Sequence, residues 1–471
     1  RQVWQAAASE LRAGPEFDAV AKQVAAHYVR LGAYGHPEAL KAFEAAAAST
    51  DPALRAWTLV KRAEGEALAG RFERAEVLLD TAPDIADPLA RAERALARAS
   101  IARWRGELAT AAELITATVR GELARVTSTG REARLTAVKA GGREGMIAKD
   151  RGDLTGALAR LDGVEATDDL VRARVQYQRG DIAMRLGRYD TAKAALDSAV
   201  ELAHRSEALA QEQARYLTRR AALLRVRGDL AGSLTDFKAA RARLHGAELP
   251  EAETALRLAK VDAEWALTAL ALGDFEEGTY AVTRALAGFR EHAGTNDARP
   301  YRALRGTLPL AIAYACRGLA VPYRRPFPTL RDGLDGPDLP HARQGIDEVL
   351  GAVDDQAQHR GLRLDALLLA SQFAVDGATA LRFAEAGLSD VEHEHARARA
   401  LSAMAAAHMR LLDAKAVLAD VQAASDALDS VPATTEPAEG GDAGLRAQLA
   451  SYAVDAHLAL GDAKAAAAAL T

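Results

Sequence analysis

Few side chains in this 471-residue chain have types and spacing that could perform chemistry. His393 and His395 stand two positions apart in "SDVEHEHARARA". A metal-binding pair on a helix needs a spacing of three or four, because only those positions share a face. Asp332, Asp335 and Asp338 in "RDGLDGPD" lack the alternating carboxylates of a calcium loop and are expected to form a turn. The sequence therefore predicts no metal site and no cofactor.

Catalytic motifs are also lacking. No G-x-x-x-x-G-K-[ST] sequence occurs, and the glycine-rich "KAGGREGMIAKD", Lys139 to Asp150, follows no strand and is expected to serve helix packing. Cys316, the single cysteine, has apolar neighbours and is expected to be a small buried residue. Ser389 or Asp390 is expected to cap the helix that carries the two histidines. Because no nucleophile or acid–base set stands out, we predict that the chain is not an enzyme.

Arginine clusters are the remaining candidates for chemistry. One helix-like stretch, "RYLTRRAALLRVRG", carries five of them, namely Arg215, Arg219, Arg220, Arg225 and Arg227. Another, "VPYRRPF", sets Arg324 and Arg325 beside aromatic residues. A nucleic-acid patch combines such residues. The net charge of −5 and the pI of about 6.2 instead favour a solvated helix face neutralised by neighbouring carboxylates.

The composition indicates the elements that must position these residues. The chain is 49% hydrophobic but only 5% aromatic, and alanine, the best helix former, dominates. No apolar run approaches the roughly 18–20 residues of a membrane span, and the first residues lack the apolar core of a signal peptide. Together with the single cysteine, these features favour a helical, cytoplasmic protein. Since the first residue is not Met and the last helix has no polar cap, we expect a fragment of a longer protein.

A recurring frame organises the chain. "LGRYDTAKAALDSAVELA" places Gly187, Tyr189, Ala192, Leu196 and Ala199 at fixed offsets. The frame recurs seven times, with the turn position at Gly70, Gly106, Gly152, Gly228, Gly273, Leu412 and Gly461. Glycine there can end a first helix in the left-handed conformation, and a following Asp can cap a second helix. The small residues let the two helices approach closely.

The frame resembles the tetratricopeptide repeat family, whose units are antiparallel helix pairs. The resemblance covers roughly residues 50–290 and 395–471. It implies an all-α fold, a right-handed superhelical solenoid of about ten helix pairs. Six turn glycines follow one another at steps of 35 to 46 residues, against a family period of about 34. The array is therefore irregular, similar to the repeat arms of bacterial regulators.

Proline and glycine interrupt the array once. Residues 321–340, "VPYRRPFPTLRDGLDGPDLP", cannot form a helix pair. We expect a first helical array over residues 1–320, an interruption at 321–340, and a continuation over 341–471. The polar stretch near 430–444 is expected to be a mobile linker within that continuation.

The resemblance also implies which residues face a ligand, since the first helix of each pair lines a groove in the family. The positions carried over in the Gly187 repeat are Arg174, Tyr177, Gln178, Asp181, Met184 and Arg185. Those in the Gly70 and Gly228 repeats are Trp57, Lys61 and Glu64, and Arg215, Arg219 and Arg225. A groove of Arg, Tyr and Gln suits an extended or acidic peptide, because arginine binds carboxylates through two hydrogen bonds.

The function implied is that of a non-catalytic module that binds a protein or peptide. We expect it to be the sensor or interaction arm of a larger bacterial regulator or effector, in signalling or transcription regulation. A small-molecule effector is a further candidate ligand, and no membrane partner is expected. Two alternatives stay open. One is a stand-alone constitutive scaffold, and the other is an arginine-rich solenoid that binds nucleic acid, which the net charge disfavours.

Overall fold

Helix follows helix throughout the part of the chain that the structure describes. In this computed structural model the described residues are 15–31, 34, 36–68, 71–127, 130–151, 153–206, 208–247, 251–292, 346–347, 350, 360–374, 376–391, 393–430 and 443–469. Within these ranges twenty helices form ten helix–turn–helix pairs, residues 346–347 and 350 are also helical, and there is no strand. The all-α repeat architecture predicted from the frame is confirmed.

The first five pairs precede residue 206. They are α1 (Pro15–Leu31) with α2 (Pro37–Ala47), α3 (Pro52–Leu68) with α4 (Phe72–Thr81), α5 (Pro88–Arg105) with α6 (Leu108–Glu113 and Arg120–Arg125), α7 (Arg131–Asp150) with α8 (Leu154–Asp162), and α9 (Asp169–Arg185) with α10 (Tyr189–Arg205). The two parts of α6 are joined by a π-helical turn, Leu114–Val119.

The other five pairs follow the same order. They are α11 (Ala210–Val226) with α12 (Leu230–His245), α13 (Glu251–Leu272) with α14 (Phe275–His292), α15 (Arg360–Phe373) with α16 (Gly377–Ser389), α17 (Glu394–Arg410) with α18 (Ala414–Ser430), and α19 (Ala443–Ala459) with α20 (Ala463–Ala468). None of the described helices is both long and apolar enough to cross a membrane.

The chain divides into two compact units, each with its own core. Unit 1 consists of Arg1–Arg151 and Ala159–Arg172 with Asp297–Arg299, and unit 2 of Gly152–Leu158, Ala173–Asn296 and Pro300–Thr471. Unit 1 buries alanines around Val60, Leu79 and Ile101, and unit 2 does so around Phe237, Trp265 and Val282. Small residues dominate both cores because the paired helices lie close together.

The pair α9–α10 shows how the frame produces this close packing. Ala192, Leu196 and Ala199 are fully buried on α10. Opposite them on α9 lies Gly180, where an added Cβ would stand only 2.5 Å from Leu196 Cγ. The predicted role of the small residues, to let the two helices approach, is confirmed here.

The turns between paired helices also follow the frame. Among the described residues five glycines have positive φ, namely Gly106, Gly187, Gly228, Gly273 and Gly461. The only other described residue in this conformation is Leu412, with φ of 60°, at the position where the frame lacks its glycine. The predicted Asp caps also form, for example where Asp229 accepts from the Gly232 N–H. The turn positions Gly70 and Gly152 lie outside the described residues.

Replacing Leu412 with glycine is expected to stabilise the protein by about 1 kcal/mol. A left-handed conformation costs an L-residue about 1–2 kcal/mol, which exceeds the extra entropy that glycine loses on folding. The leucine side chain is 90% exposed, so little burial is lost. Urea unfolding measures the change. Gly228→Ala, at φ +83° and with nothing within 4 Å of the added Cβ, should be destabilising by a similar amount. A less stable Leu412→Gly protein would contradict the account.

One cap differs from the prediction. Neither Ser389 nor Asp390 caps the helix that carries the two histidines, because Ser389 ends α16 and Asp390 is its C-cap. His393 is the N-cap of α17, where its Nδ1 accepts from the Ala396 N–H at 3.2 Å. An imidazole nitrogen of His393 thus caps the helix in place of the expected Ser389 hydroxyl or Asp390 carboxylate.

Several sequence predictions fall outside the described residues. These are the interruption at 321–340 with its aspartates and arginines, the buried Cys316, and residues 431–442 of the linker predicted near 430–444. The domain boundaries drawn from the sequence stay predictions.

Candidate functional site

A stacked aromatic and arginine cluster joins α9 and α11 in unit 2. The ring of Tyr177 on α9 stacks on that of Tyr216 on α11, with centroids 4.9 Å apart. The Arg215 guanidinium lies over the Tyr177 ring, 4.5 Å from its centroid. Burial raises the pKa of Tyr216 to about 12, so its phenol is neutral. The Arg215 side chain is 42% exposed. Two predicted groove residues, Tyr177 and Arg215, are therefore in contact, and the arginine is open to solvent.

Ion pairs flank this cluster on both sides. Arg174 donates two hydrogen bonds to the Glu212 carboxylate, at 2.9 and 3.1 Å. The buried Asp181 lies 2.5 Å from Arg219 Nη2 and 3.7 Å from Arg185 Nε. Such partly buried pairs fix the two helices in one register. The arrangement holds the exposed parts of the arginines in place before any ligand arrives.

The arginine cluster of α11 is matched by carboxylates. Arg225 reaches Glu264 on α13, the next first helix, with 2.7 Å between Nη2 and Oε2. The other pairs are Arg220–Asp236, Arg220–Asp197 and Arg227–Asp190. The predicted pairing with Asp and Glu is therefore present, but these three arginines are only 19–23% exposed, so the expected solvated face is instead partly buried.

Two further predicted residues complete this face of α9. The side-chain oxygen of Gln178 is buried and has no hydrogen-bond partner among the described residues. Met184 packs, together with Tyr177, against the buried Ala183 and Leu223. A buried acceptor without a donor is costly, so Gln178 lowers the stability of this helix face.

In unit 1 the predicted residues of α3 have different environments. Lys61 is 3% exposed, and its Nζ lies 3.2 Å from Glu64 Oε1 and 3.1 Å from Glu93 Oε2. Tyr34 donates to Glu64 at 2.8 Å and Thr136 to Glu93 at 3.1 Å. Lys61 therefore joins α3 to α5 in a buried ion-pair cluster, where it does not face an open groove.

The charges of this cluster are fixed by their mutual proximity. Burial alone would lower the pKa of Lys61, but Glu64 and Glu93 outweigh it and raise that pKa above its ordinary value. Burial would likewise raise the pKa of Glu64, but Lys61, Lys139 and the Tyr34 hydrogen bond lower it to about 2. Lys61 and Glu64 thus stay charged at neutral pH, which suits a positioning role and not proton transfer.

Trp57 is the open member of the unit 1 set. It lies one turn before Lys61 on α3 and lines a surface cleft with residues of α5. Lys22 Nζ lies 5.8 Å from the centre of its ring. Of the three predicted residues on α3, only Trp57 lies at a surface that a ligand can reach.

Sequence reasoning missed the partners of the predicted residues. Glu212 and Tyr216 were not selected, although each contacts a predicted arginine or tyrosine. Spacing could have indicated Glu212, which stands three positions before Arg215 and so shares its helix face. In the described part of the chain, no group of three or more His, Cys, Asp or Glu residues could hold a metal ion.

The comparisons with known proteins concern the fold. The sequence matches no family model and no curated protein. The structure is similar to a Rap protein complexed with Competence and Sporulation Factor, with a TM-score of 0.54, 13% identity, and 80% of this chain and 98% of that chain covered. It is also similar to the apo form of RapI, with a TM-score of 0.50, 12% identity and coverage of 80% and 98%. With ten helix pairs in its described residues, the chain has a tetratricopeptide-like repeat fold.

Proposed function

We propose that this chain is a non-catalytic protein- or peptide-binding module whose capture surface is the α9–α11 face. That face is defined by Arg174, Tyr177, Gln178, Asp181, Met184, Arg185, Arg215 and Arg219. The observation that carries the proposal is the geometry of Arg215, which is held against the Tyr177 ring yet is 42% exposed. A guanidinium held in this way loses little conformational freedom when it binds a carboxylate.

The charge and the hydrogen-bonding groups of the face favour an acidic peptide segment. Its four arginines exceed the two carboxylates that neutralise them, Asp181 and Glu212. Arg215 supplies donors for a ligand carboxylate. The Rap protein that shares this fold was solved in complex with Competence and Sporulation Factor, which supports ligand capture as a use of the fold.

The setting we propose for the module is the sensor or interaction arm of a larger bacterial regulator or effector. Arg225 and Lys61, which are held in ion pairs, would then fix the positions of the first helices of neighbouring pairs. The α9–α11 face would contact the partner. The pairing of the α11 arginines with carboxylates favours a protein partner over nucleic acid. A nucleic-acid complex would instead weaken steeply as salt rises, because binding to phosphates releases counterions.

Arg215→Ala is expected to weaken capture of the native partner by tenfold or more, since a preorganised arginine at an interface centre is typical of a binding hot spot. Tyr177→Ala should do the same by removing the ring that supports the guanidinium. The measurement is a quantitative pull-down from the native cell, with each captured protein identified and its apparent affinity determined for wild type and variants.

Matched controls exist in the same unit. Arg243→Ala removes an exposed arginine from α12, and Tyr280→Ala removes an exposed tyrosine that also lies under an arginine, Arg284, at 4.4 Å. Both controls should capture the partner as the wild type does. Capture that is equal in Arg215→Ala, Tyr177→Ala and the controls would exclude the α9–α11 face as the binding surface.

A further inference from the structure

The turns of the α17–α18 and α19–α20 pairs repeat one short sequence. Residues 411–416 of the first turn read "LLDAKA", and residues 460–465 of the second read "LGDAKA". The helices α17, α18 and α19 pack together around the buried Ala405, Val417 and Ala456. Because α18 runs back between α17 and α19, these two helices point in the same direction and their turns lie side by side at one edge of the array.

Large apolar side chains are exposed at both turns. Leu411 and Leu412 are 43% and 90% exposed, and Leu458 and Leu460 are 56% and 47% exposed. Nine large hydrophobic residues are exposed in the described part of the chain, and four of them lie at these two neighbouring turns. Exposed apolar residues grouped in this way mark a surface that contacts another molecule. We call these four leucines the leucine edge.

The backbone at Leu412 carries an additional cost. It is the only described residue other than glycine with positive φ, and its side chain contributes little to the core. The other described turns with this conformation have glycine. Backbone strain of this kind clusters where proteins bind ligands or partners. A contact outside the chain therefore explains this leucine better than the fold does.

The charged groups beside the leucine edge are equal in number and opposite in sign. Asp413 and Asp462 begin α18 and α20, where their Oδ1 atoms accept backbone N–H groups at 3.0 and 2.9 Å. Lys415 and Lys464 are exposed two positions further on. None of the four forms an ion pair with a described residue. A surface with both signs in equal number complements a second copy of itself, whereas a surface of one sign needs a different partner.

We propose that the leucine edge is an interface between two copies of this chain related by a two-fold axis. The α17–α18 turn of one copy meets the α19–α20 turn of the other, so that Leu412 packs against Leu460 of the second copy and Asp413 faces Lys464 there. Each contact then occurs twice. Both halves form together because the two turns present the same groups in the same order. The helices of the α9–α11 face are not involved, so this inference goes beyond the proposed function.

Sedimentation velocity of the full chain tests the proposal over roughly 1 to 200 µM, which brackets micromolar affinity. Small interfaces are weak, so we expect a monomer at the lowest concentration and a dimer at the highest. Leu412→Gly should weaken the dimer by at least about tenfold, because the lost contact occurs twice. The same substitution should stabilise the dilute monomer, so that unfolding cannot account for the loss of the dimer.

Leu460→Ala and Leu272→Ala form a matched pair. Both leucines stand one position before a turn glycine, and they are 47% and 49% exposed. Leu460→Ala should weaken the dimer by about tenfold. Leu272→Ala should dimerise as the wild type does, because its turn lies outside the leucine edge and carries Asp274, Glu276 and Glu277 with no lysine.

The charge contact has its own variants. Lys464→Glu should weaken the dimer because like charges then meet, and Lys464→Arg should retain it. A wild type that stays monomeric at the highest concentration overturns the proposal. So does a dimer that Leu412→Gly, Leu460→Ala and Lys464→Glu leave unchanged.

Discussion

Lys61→Ala is expected to lower the free energy of unfolding by about 3–5 kcal/mol, the effect typical of breaking a buried ion pair from one side. The substitution leaves the carboxylates of Glu64 and Glu93 buried together without the ammonium that both contact at 3.1–3.2 Å. It also removes the ionic link between α3 and α5. Urea unfolding at neutral pH, with the structural content followed by circular dichroism, measures the loss.

The matched control is Lys41→Ala on α2. Lys41 also pairs with a glutamate three positions away, Glu38, but its side chain is 63% exposed. Glu38 is only 11% exposed, but because the lysine lies largely in solvent, its loss is expected to cost less than about 1 kcal/mol. Adding Glu64→Gln to Lys61→Ala should recover part of the stability, because one uncompensated charge is then removed. If Lys61→Ala costs no more than Lys41→Ala, the cluster is not the structural link inferred here.

Acid is expected to destabilise unit 2 through two histidines at the start of α17. Burial, together with Arg399 and, for His393, the neighbouring His395, lowers the pKa of each from 6.5 to about 4. Between pH 4 and pH 6.5 the folded state therefore binds fewer protons than the unfolded chain does. The stabilisation is complete above pH 6.5 and is lost as the pH falls toward 4, by about 2 kcal/mol for each histidine at pH 5.

The surroundings explain why a charged imidazole is poorly tolerated there. His395 Cδ2 would lie 2.8 Å from a Cβ added at Gly187, and the ring of Tyr189 meets that of His395 edge-on at 6.2 Å. The His393 Nδ1 accepts the Ala396 N–H, so protonation of that nitrogen would remove the cap of α17.

Unfolding measured at pH 7.5 and pH 5.0 checks this expectation. Wild type should lose stability at pH 5.0, and His395→Gln should lose about half as much, because one of the two histidines is gone. His245→Gln on α12 is the control for loss of an exposed histidine. An unchanged pH dependence in His395→Gln would show that His395 does not stay neutral in the folded protein.

The fold could be predicted from the sequence because its determinants are local. A turn glycine, a cap at the next position and small residues at helical spacing all act within one helix pair. The frame even placed Leu412 at a left-handed turn without a glycine there, and the structure confirms φ of 60°. His393 escaped prediction as a cap because imidazole is a less common acceptor at this position than a carboxylate.

The site could be predicted only in part because its contacts are non-local. The positions inferred from the repeat family predicted that Tyr177 and Arg215 share one face. They could not show that Lys61 meets Glu93, 32 positions away, which turns an expected groove residue into a buried one. The contact between Gly187 and His395 joins segments still farther apart. Helical spacing determines which face a residue occupies, whereas the neighbouring helix determines what covers it.

The central claim is that the α9–α11 face captures a protein or peptide partner. The most direct measurement places a photo-crosslinking amino acid at Met184 on that face and, in a second protein, at Arg243 on α12, followed by irradiation in the native cell. We expect a discrete partner to be crosslinked from position 184 and to be absent from position 243, with the yield reduced by Arg215→Ala. The same adducts from both positions, or none from 184 while the partner is still captured, would contradict it.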